Sequence, residues 1–150
     1  MSRTTPPLRV LLVDDDPAFA ELITCVLRLD GVEVLAHARD GVEGVELAAE
    51  LQPDLVVMDV RMPRMNGLEA TRRILRRRPG TPILVVSSST DPEDVERALD
   101  AGAAGYLPKD RATTELLERL EQLRPTRKSH ESRTVLSRFW GWKTLQAGAH

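Results

Sequence analysis

Three consecutive acids, Asp14, Asp15 and Asp16, cut off the apolar run Val10–Val13, and a fourth, Asp59, closes the run Val56-Val57-Met58. Acids at the ends of apolar runs, brought together by a fold, would repel one another and resist joint ionisation unless a cation neutralised them. Mg²⁺ suits that task, because it prefers hard oxygen ligands and keeps several waters that an incoming group can replace. Two further apolar runs are followed by Ser87 and Lys109, a hydroxyl donor and a positive charge. Acids, a divalent ion, a lysine and a hydroxyl together suit phosphoryl transfer onto a carboxylate. Its transition state spreads charge over three equatorial oxygens, so positioning and positive charge matter more than an acid–base residue. The product would carry a charge of roughly −2 and three strong acceptor oxygens, enough to draw nearby donors toward it.

Each of these residues has a plainer reading. Asp16, directly before Pro17, reads as the cap of a helix that proline opens. A lone Lys109 would be a solvated charge, a lone Ser87 a loop hydroxyl, and Asp59 a loop acid. Their weight comes from position, since each follows an apolar run of the same kind. Those runs, at residues 8–13, 32–36, 54–58, 82–86 and 104–107, are rich in Val and Leu and read as buried strands. Between them the apolar spacing becomes helical, as in Phe19, Leu22, Ile23, Val26 and Leu27, in Val95, Ala98 and Leu99, and in Leu116, Leu117, Leu120 and Leu123. Asp91-Pro92-Glu93-Asp94 offers a helix start, and Gly31 and Gly102 offer stops. Strand and helix alternate five times, which predicts an α/β fold: a five-stranded parallel sheet, doubly wound, in the order 2-1-3-4-5. In such a sheet ligands bind beyond the carboxyl ends of the strands, near the point where strand order reverses. The first and third strands are neighbours in that order, so Asp14, Asp15 and Asp59 should converge there.

Composition bounds the alternatives. A chain of 150 residues with 41% hydrophobic and 29% charged residues is sized for one globular domain. Its net charge of −2 divides unevenly: residues 1–124 sum to −6 and residues 125–150 to +4. An acidic domain with a short basic tail argues against general nucleic-acid binding, which needs a positive surplus. One cysteine, Cys25, permits no intrachain disulfide, and no stretch approaches the ~20 apolar residues of a membrane span. Together with the lack of a signal-peptide core, this leads us to expect a cytoplasmic protein.

The three segments Leu11-Leu12-Val13-Asp14-Asp15-Asp16-Pro17, Val56-Val57-Met58-Asp59-Val60-Arg61-Met62-Pro63-Arg64-Met65-Asn66-Gly67 and Ala101-Gly102-Ala103-Ala104-Gly105-Tyr106-Leu107-Pro108-Lys109 carry a family resemblance. Over roughly residues 8–124 the chain resembles the CheY-like receiver domain of two-component response regulators. The resemblance implies that Asp59 is the phosphoacceptor, charged by a sensor histidine kinase, a phosphotransfer protein or acetyl phosphate. It implies Mg²⁺ held by the side chains of Asp15 and Asp59 and the backbone carbonyl of Arg61, with Asp14 helping through water. Ser87 then matches the switch hydroxyl, Tyr106 the switch aromatic and Lys109 the phosphate-pairing lysine. In the unphosphorylated state Ser87 would turn away and Tyr106 would point outward; phosphorylation would reverse both. An output protein would meet the face made by the fourth helix, fifth strand and fifth helix. The chain would be a phosphoacceptor switch and not an enzyme acting on other substrates.

Many receivers follow the lysine with proline through a cis peptide; here Asp110 follows, and a cis bond before a non-proline costs ~2.5–4 kcal/mol. The Gly-Tyr-Leu-x-Lys-Asp pattern is closest to the LuxR-type branch, whose members usually end in a helix-turn-helix domain. Residues 125–150 are too few for one, so no DNA binding by this chain is expected. We divide the chain into an extension at 1–7, a receiver at 8–124 and the basic tail. In that tail Val135, Leu136, Phe139 and Trp140 are spaced as a short amphipathic helix able to dock on the receiver, a partner or an anionic membrane, with a disordered tail as the equal alternative. The arginines at 72, 73, 76, 77 and 78 read as a solvated helix face. A haloacid-dehalogenase-like phosphotransferase using Asp14, with Asp16 at the Asp-x-Asp spacing, is the enzymatic alternative; it leaves Asp59 unexplained. A dinucleotide-binding module would need Gly-x-Gly-x-x-Gly after the first strand, which is missing.

Overall fold

The computed structural model describes residues 6–125. Among the described residues the apolar runs form strands and the stretches between and after them helices: β1 (Arg9–Val13), α1 (Pro17–Leu29), β2 (Glu33–Ala38), α2 (Gly41–Leu51), β3 (Leu55–Met58), α3 (Gly67–Arg77), β4 (Ile83–Ser87), α4 (Pro92–Asp100), β5 (Gly105–Pro108) and α5 (Ala112–Leu123). A single 3-10 turn, Lys109–Arg111, joins β5 to α5. The sheet is parallel throughout, in the order β2-β1-β3-β4-β5.

Alternation along each strand divides the core in two. Val10 and Leu12, Val57, and Leu84 and Val86 face α1 and α5, where Ile23, Leu27, Leu116 and Leu120 are buried. Leu11 and Val13, Val56 and Met58, and Ile83 and Val85 face the other way, toward Ala48, Ala70, Ile74 and Ala98 of α2, α3 and α4. Burial on both faces explains why the strands read as continuous apolar runs and not as alternating ones.

Helix ends follow the expected chemistry. Asp16 accepts from the amides of Ala18 and Phe19, and Asp91 accepts from Glu93. Gly31 and Gly102 take φ of +83° and +108° just past α1 and α4, a region closed to most side chains. Strand limits differ slightly from the pattern. Asp54 stays outside β3 because its carboxylate accepts the Arg9 amide at 2.9 Å. The second strand runs on through His37 and Ala38, which pair with Leu12 and Val13. No cis peptide occurs among the described residues, so the Lys109–Asp110 bond is trans. The guanidinium of Arg124, just past α5, donates to the Pro6 carbonyl at 3.3 Å. Both ends of the described chain therefore meet at the amino-terminal edge of the sheet. The tail helix suggested by Val135–Trp140 lies outside the described residues, as do the first five residues of the extension.

Candidate functional site

Register sets the site. Val13 pairs with Met58, so the residues that follow, Asp14 and Asp59, leave the sheet side by side. Their backbones are held by the neighbouring strands: the Asp14 amide donates to Ala38 O at 3.0 Å and the Asp59 amide to Val13 O at 2.8 Å. Both carboxylates are buried, at 1% and 6% exposure, whereas Asp15 is exposed. One oxygen from each of Asp14, Asp15 and Asp59 falls within 4.8 Å of the others. Three hard oxygen donors at that spacing, two buried and one reachable from solvent, form a donor set that fits a small divalent cation.

Lys109 closes the site from the end of β5. Its Nζ lies 3.1 Å from Asp14 Oδ2 and 3.7 Å from Asp59 Oδ2. It also sits 4.6 Å above the ring of Phe19, whose face attracts a cation. Burial works against this ammonium, but the bond to Asp14 and the charges of Asp59 and Asp14 outweigh it and raise its pKa. One lysine does not neutralise three acids. Burial, and then the charge of Asp14, push the Asp59 carboxyl up to about 7 against the opposing pull of Lys109 and the Val60 amide. Asp59 is thus the acid most in need of a second cation.

Each carboxylate is also oriented. Asp14 Oδ1 accepts the Asp16 amide at 2.8 Å, and Asp59 Oδ1 accepts the Val60 amide at 2.8 Å, which leaves Oδ2 of both turned to Lys109. The Asp16 side chain is spent on capping α1. The Asp-x-Asp pairing of the enzymatic alternative is therefore not formed. Gly67 opens α3 so close to the Asp59 backbone that any Cβ there would overlap its carbonyl oxygen.

Ser87 is the last residue of β4 and not the first of the loop; it is buried, and its Oγ accepts the Ser89 amide at 3.2 Å. Tyr106 departs from expectation. It points inward and is 3% exposed, packed with Val85, Ala98 and Ala103, and its hydroxyl donates to Ser89 O at 2.6 Å. The small side chains of Ala98 and Ala103 leave room for the ring, and the Ser89 carbonyl satisfies its one polar atom. Arg61, in the loop after β3, is exposed, and its positive charge helps to lower the Asp94 pKa behind the stronger Ser89 bond.

Four contributors were not singled out from the sequence as site residues. Phe19 fits the helical core pattern equally well. Gly67 stands in the segment after Asp59 with no side chain to mark a role. His37, whose Nε2 lies 2.7 Å from Asp14 O, and Ser89, which joins Ser87, Tyr106 and Asp94, carry no sequence signal separating them from other loop and strand residues.

Comparison with known proteins gives a consistent result. A family model described as the response regulator receiver domain matches residues 10–121. The chain is 49% identical over 102 residues to a protein-glutamate methylesterase/protein-glutamine glutaminase of Myxococcus xanthus, covering 67% of this chain and 28% of that protein. It is 44% identical over 117 residues to the response regulator MprA of a Mycobacterium species, covering 78% and 50%. Among solved structures, a LuxR-family two-component response regulator from Aurantimonas superposes with a TM-score of 0.73 at 31% identity, covering 89% of this chain and 99% of that one. This chain spans between about a quarter and a half of the two curated relatives.

Proposed function

This chain belongs to the response regulator receiver domain family of two-component systems, and from that premise we propose that it takes a phosphoryl group onto Asp59 and converts it into a change of protein-binding surface. The observation that carries the proposal is the convergence of Asp14, Asp15 and Asp59 within 4.8 Å, with Lys109 against two of them. Residues 8–124 form the receiver unit and residues 125–150 a separate basic tail. The single thiol and the acids that interrupt the first apolar run suit the cytoplasm, where we place it. Among the described residues no helix is long and apolar enough to cross a membrane.

Asp59 Oδ2 is the attacking atom. Its new bond to phosphorus forms as the bond to the donor breaks, the donor being a phosphohistidine of a sensor kinase or phosphotransfer protein, or acetyl phosphate. Asp15, Asp59 and the Arg61 carbonyl, with Asp14 through water, would hold Mg²⁺, which when bound would supply positive charge favouring the ionised Asp59 carboxylate and the phosphoryl oxygens. The Val60 amide fixes Oδ1 and so limits rotation of the nucleophile. Lys109 exchanges its contact with Asp59 for one with the phosphoryl group.

Ser87 then swings its hydroxyl from the Ser89 amide to a phosphoryl oxygen. Because Ser89 also holds the Tyr106 hydroxyl and Asp94 of α4, that exchange loosens the β4–α4 connection and reaches the surface. Tyr106 is already inward, so it acts as a tether on this connection and not as a ring that swings in. Carrying a two-state equilibrium from 1:99 to 99:1 needs ~5.5 kcal/mol, which a few charge-assisted bonds of about 1.5–3 kcal/mol supply. The altered face comprises α4, β5 and α5 and meets an output protein. The chain itself is a switch and not an enzyme toward other substrates; the esterase and glutaminase activities in a relative's name belong to that relative.

The deciding experiment is incubation with radiolabelled acetyl phosphate and Mg²⁺. Wild type should take up acid-stable, alkali-labile label, while Asp59→Asn and chelator-treated protein should take up none. Undiminished label on folded Asp59→Asn would place the acceptor elsewhere.

A further inference from the structure

The outer face of α1 is built unlike a solvated one. Buried Ala20, Ile23 and Leu27 mark its inner side. At about 100° per residue the opposite side carries Ala18, Leu22, Cys25 and Leu29. All four are exposed, and Leu22 and Leu29, at 49% and 89%, are the two exposed large apolar side chains of the described residues. A helix of this kind normally turns charge to water on that side.

One flank of the stripe carries Glu21 and Arg28, both exposed, seven residues and about 10 Å apart along the axis. Neither forms an ion pair among the described residues, although many other exposed arginines do. Two opposite charges on the same edge, too far apart to meet within one helix, are complementary to their own copy. A two-fold axis perpendicular to two antiparallel helices keeps like edges together and reverses the direction of the chain. Centred between Thr24 and Cys25, it brings Glu21 of one helix opposite Arg28 of the other, twice. The same operation seats Leu29 between Ala18 and Leu22 of the second helix and sets the two Cys25 side chains face to face. A parallel pair would place the charges on opposite edges and lose both contacts.

We propose that this chain self-associates through α1, as an antiparallel two-fold pair in which Leu22, Cys25 and Leu29 form the apolar seam and Glu21 and Arg28 exchange ion pairs across it. The occupant of the face is a second copy of the chain, chosen by that charge symmetry. The pairing uses no residue of the acid cluster, so it stands apart from the phosphorylation reading. It also holds the two phosphorylation sites at opposite ends of the helix pair.

Cys25, the sole cysteine of the chain, makes the test direct. A short bis-maleimide should join full-length wild type into a dimer, and Cys25→Ser should give none. In sedimentation equilibrium Leu29→Asp should weaken association by at least about tenfold, as expected for a charge placed in an apolar seam. Glu21→Arg and Arg28→Glu should each weaken it, and the double reversal should restore it. Asp59→Asn should associate like wild type. A chain that stays monomeric at its solubility limit, as it would if its own tail covered α1, overturns the proposal. So does a double reversal no better than the single ones, with circular dichroism confirming that every variant is folded.

Discussion

Asp59 sits where two requirements conflict. As the proposed phosphoacceptor it must be ionised to attack, yet burial and the nearby Asp14 charge push its carboxyl up to about 7 in the metal-free chain. The consequence for stability follows from proton linkage. Below the ordinary value of 3.8 the folded and unfolded chains both hold the proton. Between there and about 7 only the folded chain holds it, so folding weakens steadily as pH rises, and above 7 the loss is complete. In chelator, Asp59→Asn should therefore be more stable than wild type at pH 8, by about 1–2 kcal/mol, with little difference at pH 4. Chemical denaturation at the two pH values measures it. Added Mg²⁺ should remove most of the wild-type deficit, and equal stabilities at pH 8 in chelator would show that Asp59 bears no such strain. At this scale the acids and Lys109 were readable from the chain, because each follows an apolar run. Phe19 and His37 were not: one serves the core pattern as well as the lysine, and the other acts through the Asp14 carbonyl, which no side-chain pattern reports.

Among the elements, strands and helices were legible from periodicity, and their errors are local. The polar side chain of Ser87 ends an apolar run and so reads as loop, yet its backbone still pairs in β4. The inward packing of Tyr106 has a different cause. An aromatic near a sheet edge can pack either way, and the choice depends on two alanines and one carbonyl that only folding brings together. The start of α3 shows how tightly an element can constrain chemistry. Gly67→Ala would force the helix away from the Asp59 carbonyl. It should destabilise the protein by about 1–3 kcal/mol, the usual cost of overpacking. It should also slow acetyl-phosphate labelling more than an equally destabilising change in α5, since it displaces the acceptor itself. Thermal melts paired with labelling rates distinguish the two effects.

For the molecule as a whole, the parallel sheet puts the chemistry at one edge and the helices on its faces. In the proposed switch, a signal from Asp59 runs through Ser87 at the end of β4 and the turn that follows it toward α4. Beryllofluoride with Mg²⁺, which imitates an acyl phosphate, should change hydrogen exchange mainly in residues 87–111. Ser87→Ala should bind the mimic yet lose most of the change in α4, because the Ser89 connection is never exchanged. A full wild-type response in that variant would remove Ser87 from the relay. The order of the sheet was deducible from the alternation of elements, whereas the route of the signal was not. The proposed route passes through Ser89, a residue whose part rests on the bonds around it.

The Arg124–Pro6 contact fixes the molecule's lines of attachment. Pro6 and Arg124 thus share one corner, at the pole opposite the acid cluster. A neighbour held at that corner would leave the proposed donor's approach open, and would sense the proposed phosphorylation only through the breadth of the sheet. An attached unit governed by this switch must reach around to α4 or feel the whole body flex.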